Sequence, residues 1–298
     1  MTFNDNAKLD TSRVSKRGRS RGIAVGGGSA VVVVGLFLLS QLLGVDLTGL
    51  AGLVGGGTAG QAQQGEVTSL QCDTGADANA NLDCLMVGTE NSLDAYWRAE
   101  APALGISYAP VTKLNLFTAA TNTGCGQASS ATGPFYCPTD SSIYVDTAFF
   151  DELRSQFGAS GGTLSEMYVV AHEFGHHIQN LAGVMDNTDR SGTGPTSDSV
   201  RTELQADCYA GAWVAAASTT EDTDGVAFLQ PVTDAQLADA LNAASVIGDD
   251  RIQQRGSGEV NPETWTHGSS SQREKWFQAG MTNGAGGCDT FSLDGSQL

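Results

Sequence analysis

The pentapeptide His172-Glu173-Phe174-Gly175-His176 constrains this chain more than any other feature. Two imidazoles four residues apart in a strand lie about 13 Å apart. On a helix the same spacing leaves them only about 40° apart around the axis. A helix here brings both rings to one zinc ion, with Glu173 turned by about 100° to the side where a water would be held. The flanks read as helix ends. Gly161-Gly162 makes a turn, Thr163 and Glu166 form a T-x-x-E capping box, residues 164–182 continue without proline, and Gly183 ends the run.

Zinc in such a site needs a third protein ligand. The metzincin continuation requires Gly and His where this chain has Gln179 and Ala182, so that arrangement is excluded. His177 is about 100° from His176 and points elsewhere. A second helix, predicted over Val200 to Ala217, carries Glu203 and Asp207 four residues apart on one face. Glu203 is the expected ligand, and Asp207 the acceptor for the far N–H of a zinc-bound histidine. Asp186 and Asp189, on a loop, are the alternatives for the third ligand. The E-x-x-x-D pairing resembles that of the gluzincin peptidases, where such a helix supplies ligand and orienter. His267, just before another capped helix, is a candidate donor to the oxyanion formed during peptide attack. Tyr144, Tyr168 and Tyr209 are further candidates for that donor.

Charge narrows the partners. The formal net charge is −18, yet residues 1–22 are basic, with Lys8, Arg13, Lys16, Arg17, Arg19 and Arg21 against Asp5 and Asp10. So acidic a remainder repels phosphate backbones and excludes nucleic-acid binding. Residues 23–43 form an uncharged run of 21 residues, long enough as a helix to span about 30 Å of hydrocarbon. With the basic flank before it, this run reads as a single transmembrane anchor, its N-terminus cytoplasmic and its bulk extracytoplasmic. A cleaved signal peptide is the competing reading. Residues 44–71 are rich in Gly, Ala, Gln and Thr and read as a flexible stalk.

From Cys72 onward the pattern is that of one mostly helical α+β domain with a small edge sheet, covering residues 72–298. Helices are expected over 91–101, 147–157 and the two motif segments. Two more are expected after capping boxes at Thr233/Gln236 and Ser269/Gln272. Strands are expected at Lys113–Phe117 and Ile143–Val145. The six cysteines, in an exported segment, read as disulfides; six allow 15 pairings. Locality favours Cys72 with Cys84 and Cys125 with Cys137, leaving Cys208 for Cys288.

Three motifs, with the Arg21-Gly22 lead into the apolar run, carry a resemblance. They are A-H-E-F-G-H-H-x-Q at 171–179, E-L-Q-A-D-C-Y-A-G-x-W at 203–213 and T-H-G-S-S-x-Q-R-x-x-W-F-x-x-G at 266–280. Together they resemble the bacterial putative neutral zinc metallopeptidase family. The resemblance implies a zincin-like fold, one zinc ion and peptidase activity on a peptide or protein substrate. It extends to the cysteines at 125, 137, 208 and 288. The expectation is a membrane-anchored peptidase in which Glu173 activates water. A non-catalytic envelope scaffold retaining zinc, and a hydrolase of non-peptide amides such as cell-wall bonds, are the alternatives. Neither the oligomeric state nor the cleavage specificity is encoded in these motifs.

Overall fold

The computed structural model describes residues 2–18 and 67–298. The N-terminal part of the chain runs β1 (Val14–Arg17), β2 (Val67–Thr68), α1 (Gly75–Ala80), α2 (Leu82–Glu100), β3 (Lys113–Phe117), β4 (Ala120–Thr123), β5 (Gly126–Ser129), β6 (Phe135–Cys137) and β7 (Ser142–Asp146). Then come α3 (Phe149–Ser155), α4 (Thr163–Leu181), α5 (Val184–Asn187), α6 (Asp198–Ala216), α7 (Asp234–Val246), α8 (Asp249–Gly256) and α9 (Ser270–Asn283). The class is α+β, rich in helix, with one five-stranded sheet in the order β2-β1-β3-β7-β6 and a separate β4-β5 hairpin.

The sheet follows from its sequences. In β3 and β7 nearly every residue is buried, as in strands covered on both faces, and the two pair in parallel from Lys113–Ser142 to Phe117–Asp146. β6 closes one edge, antiparallel to β7. The strand expected at Lys113–Phe117 is interior, with β7 on one side and β1 in parallel on the other, so it has no free edge for a substrate.

That pairing overturns the expected membrane topology. Residues 2–18 are built into the same body as residues 67–298. Phe3 is buried, its ring fills the space beside Gly88 of α2, and its backbone is held on both sides by Asn79, at 2.8 and 3.0 Å. A single crossing between residues 18 and 67 would put β1 and β3 on opposite sides of a bilayer. Among the described residues no helix is long and apolar enough to cross a membrane. The expected span, 23–43, and most of the expected stalk lie outside the described residues.

Helix boundaries follow their caps. α2 starts nine residues before the expected 91 because the Asn81 side chain accepts from the Cys84 N–H at 2.9 Å. The boxes at Thr233/Gln236 and Ser269/Gln272 are both formed. The box expected at Thr163 is not: Gly162 caps α4, and Glu166 turns to an ion pair with Arg154 at 2.8 Å. Three disulfides, Cys72–Cys84, Cys125–Cys137 and Cys208–Cys288, take the pairing that locality favours.

α4 is the central helix, buried almost all round, and packs on α6, α7 and α2. Two glycines set the helix spacing at the site. A Cβ at Gly175 would stand 3.0 Å from the Ala206 Cα, so α4 and α6 touch backbone to backbone just where the two motifs face each other. A Cβ at Gly280 would lie 1.8 Å from the Cys208 carbonyl oxygen, so α9 presses equally closely on the far side of α6.

Candidate metal centre

The close approach at Gly175 places Glu203 of α6 directly over the two histidines of α4. Glu203 Oε2 lies 3.0 Å from His172 Nε2, and Glu203 Oε1 lies 3.5 Å from His176 Nε2. One donor atom from each of His172, His176 and Glu203 lies within 4.8 Å of the others. Among the described residues this is the group of His, Cys and acidic side chains arranged to hold a metal ion. Asp186 and Asp189 are exposed and lie outside it. Asp189 instead accepts from the N–H and hydroxyl of Ser191. His177 faces away, buried between the Ala109 carbonyl at 2.7 Å and the Tyr136 hydroxyl at 3.1 Å.

What stands behind each ring decides what its front can bind. His172 Nδ1 donates to Asp207 Oδ1 at 2.8 Å, the contact expected of that carboxylate. Asp207 is wholly buried. It also accepts the Tyr168 hydroxyl and a two-pronged Arg273 guanidinium, at 2.8 Å to Oδ2 and 3.0 Å to Oδ1. Burial alone would raise the Asp207 pKa, but Arg273 and His172 outweigh it and hold the carboxyl below its usual range.

His176 Nδ1 donates instead to an amide. Gln179 Oε1 accepts at 2.8 Å, while Gln179 Nε2 donates to the Thr202 carbonyl at 2.7 Å and to Gln205 Oε1 at 3.1 Å. Gln205 Nε2 passes on to the Cys288 carbonyl at 2.9 Å. The direction of this relay is fixed from its far end, because a backbone carbonyl only accepts.

With both Nδ1 atoms committed as donors, both Nε2 atoms are left facing the ionised Glu203 carboxylate. Burial disfavours the Glu203 charge, yet His176 and His172 keep its pKa far below the usual range. Burial disfavours charge on the rings, but Asp207 and Glu203 raise the His172 pKa to about 10 and Glu203 raises that of His176, so the metal-free rings can meet this carboxylate with protons, which a divalent cation would displace. Two imidazoles and one carboxylate form the donor set of a three-ligand catalytic zinc site. The residues therefore fit the metal.

A cavity of about 530 Å³ opens onto this point. Glu173 lines it, only 8% exposed, and takes the Tyr136 backbone N–H from β6. Burial pushes its pKa up, against the pull of His176 and His172. Of the candidate oxyanion donors, Tyr168 lines the cavity but gives its hydroxyl to Asp207. Tyr144 is bonded to Asp140 at 2.7 Å, and Tyr209 packs edge-on against Trp97; neither lines the cavity. His267 does line it, with 40% of its side chain exposed.

Asp249 holds that histidine. Its Oδ2 accepts the backbone N–H groups of Thr266, His267 and Gly268 at 2.8, 2.7 and 3.0 Å, and its Oδ1 lies 3.3 Å from His267 Nδ1. Nε2 is thereby left for the cleft. Burial works against a charged imidazole, but Asp249 prevails and raises the His267 pKa. Asp249, Arg273, Gln179 and Gln205 have no recognised role in the sequence reading. Arg273, Gln179 and Gln205 stood within the quoted motifs, and Gln179 also served to exclude the metzincin pattern.

The chain belongs to the putative neutral zinc metallopeptidase family, whose model matches residues 4–291. The uncharacterized protein Rv2575 of Mycobacterium tuberculosis is 47% identical over 294 residues, 98% of each chain. The uncharacterized protein YpfJ of Escherichia coli is 35% identical over 271 residues, 89% of this chain and 87% of that one. No solved structure matches.

Proposed function

We propose that this protein is a zinc-dependent peptidase that hydrolyses peptide bonds in an extended segment lying in the cleft. The observation that carries the proposal is the convergence of the His172 and His176 Nε2 atoms on Glu203, beside a buried Glu173. When bound there, zinc supplies Lewis acidity to water and to the scissile carbonyl. Glu173 takes the proton of the attacking water as the new C–O bond forms, and delivers it to the leaving amine as the C–N bond breaks. His267 Nε2, aimed by Asp249, donates to the oxyanion. The second edge of β6 faces the cleft through residues 130–136 and offers backbone groups to an added strand. Three disulfides fit an oxidising compartment.

The test is Glu173→Gln in the full chain, with zinc content and peptide cleavage both measured. Retained zinc with cleavage abolished is the expected result. Equal cleavage by the variant removes Glu173 as the base. Zinc without cleavage in the unaltered protein returns the scaffold reading.

A further inference from the structure

One end of the cleft carries a carboxylate with no counter-charge. Glu152 of α3 lines the cavity, half-buried, and its side chain makes no hydrogen bond or ion pair among the described residues. Arg154, two residues on and on the opposite side of the helix, is committed to Asp151 and Glu166, and Arg255 of α8 donates to the Gln156 carbonyl. Of the arginines lining the cavity, Arg273 is committed to Asp207, and neither it nor the exposed Arg190 is among the charges that bear on Glu152.

The charge that does bear on Glu152 is negative. Asp146, at the end of β7, is buried and holds the N–H groups of Ala119 and Ala148. After burial, its repulsion is the second influence raising the Glu152 pKa. The same cavity has apolar walls in Phe149, Phe157, Val169, Ile247 and Ile252. The Arg154–Glu166 pair ties α3 to the first turn of α4, six residues before His172, or about 9 Å along the helix. Glu152 shares the cavity wall with His172, Glu173, His176 and Glu203.

We propose that this end of the cleft is the specificity pocket for a substrate side chain with an alkyl stem and a cationic tip, lysine or arginine, and that Glu152 is its counter-ion. The proposal rests on the peptidase reading and names its substrate class. The stem packs on the aromatic and branched walls while the tip meets the carboxylate. An acid left unpaired beside apolar groups and a second acid is costly in the free protein, and a cation removes that cost on binding.

The experiment uses the zinc-loaded full chain and peptides identical except for Lys, Leu or Glu at one position, placed in turn on each side of the scissile bond. At one of these positions Lys is expected to exceed Glu by at least about tenfold in kcat/KM. Glu152→Gln lowers the Lys-to-Leu ratio at least about tenfold, and Glu152→Lys inverts the order of Lys and Glu. Because each ratio is taken on a single protein sample, it is independent of the fraction folded. No preference for Lys at any position, or a ratio unmoved by Glu152→Gln, overturns the proposal. If the unaltered protein cleaves no peptide, the peptidase reading fails and the pocket is judged by binding. Glu173→Gln then binds the Lys peptide at least about tenfold tighter than the Glu peptide, a difference lost in Glu173→Gln/Glu152→Gln. Equal binding of the two peptides overturns the pocket as well.

Discussion

The two histidines of one motif are held in opposite ways. Behind His172 stands an ionic shell, in which Asp207 takes the ring, Tyr168 and both prongs of Arg273 with no exposure to solvent. Behind His176 stands a neutral one, in which two glutamine amides pass hydrogen bonds in sequence to backbone carbonyls. A carboxylate behind a ring makes that ring a better ligand by favouring positive charge on it. An amide relay fixes the tautomer without adding charge. Two carboxylates already face this small volume from the front, in Glu173 and Glu203. Neutral amides behind His176 limit the number of buried acids that one guanidinium must balance.

The largest effect separating the two shells is on folding. Arg273→Met leaves the Asp207 carboxylate buried without its cation and is expected to cost about 3–5 kcal/mol in urea unfolding of the metal-free protein. A loss below about 1 kcal/mol would mean that the ionic shell does not hold α6 and α9 together. Acid titration gives a smaller signal of definite sign. The folded Asp207 pKa, about 2, lies below the unfolded value of 3.8. Its stabilising share is therefore complete above pH 4 and is lost as pH falls through about 2. This amounts to about 2 kcal/mol, visible as the difference between the stability–pH curves of the unaltered protein and Asp207→Asn. Parallel curves would show that Asp207 is not held ionised by Arg273. The amide relay has no titrating group and adds no slope in that window.

The third expected effect lies on the metal. Gln179→Ala frees the His176 ring to turn and to change tautomer, and should weaken zinc binding about 10–100-fold in competition with a chelator. Unchanged affinity would make the relay a packing feature alone.

The parts of this site that obey helical arithmetic were legible before any coordinates. His172, Glu173 and His176 lie on one helix, Glu203 and Asp207 on another, and a period of 3.6 residues assigns their faces. Caps written in adjacent residues were legible too, at Thr233 and Ser269. Thr163 shows where that stops: its box partner Glu166 is claimed by Arg154, which comes from a different helix. Partners brought by tertiary contact leave no spacing signal. Arg273 lies 66 residues from Asp207, and Asp249 lies 18 from His267. The pairing of β1 with β3 crosses about a hundred residues, and the strong local signal of the apolar run between them pointed to a different topology. Gln179 was visible in the motif, but an amide reveals its role only when both of its ends have partners.

The smallest effect tests whether the relay acts as a unit. Gln205 is its second member, and Gln179 keeps its stronger bond, to the Thr202 carbonyl at 2.7 Å, when Gln205 is removed. What Gln205→Ala loses is the 3.1 Å bond to Gln179 and the bond to the Cys288 carbonyl, next to the Cys208–Cys288 bridge. One bond net is about 1 kcal/mol, so zinc affinity should fall only a few-fold, well short of Gln179→Ala. The same chelator competition reads both variants. If Gln205→Ala matches Gln179→Ala, the orientation of His176 is set from the C-terminal disulfide rather than from α6. The neutral shell would then be as interdependent as the ionic one, and the contrast between the two histidines would reduce to charge alone.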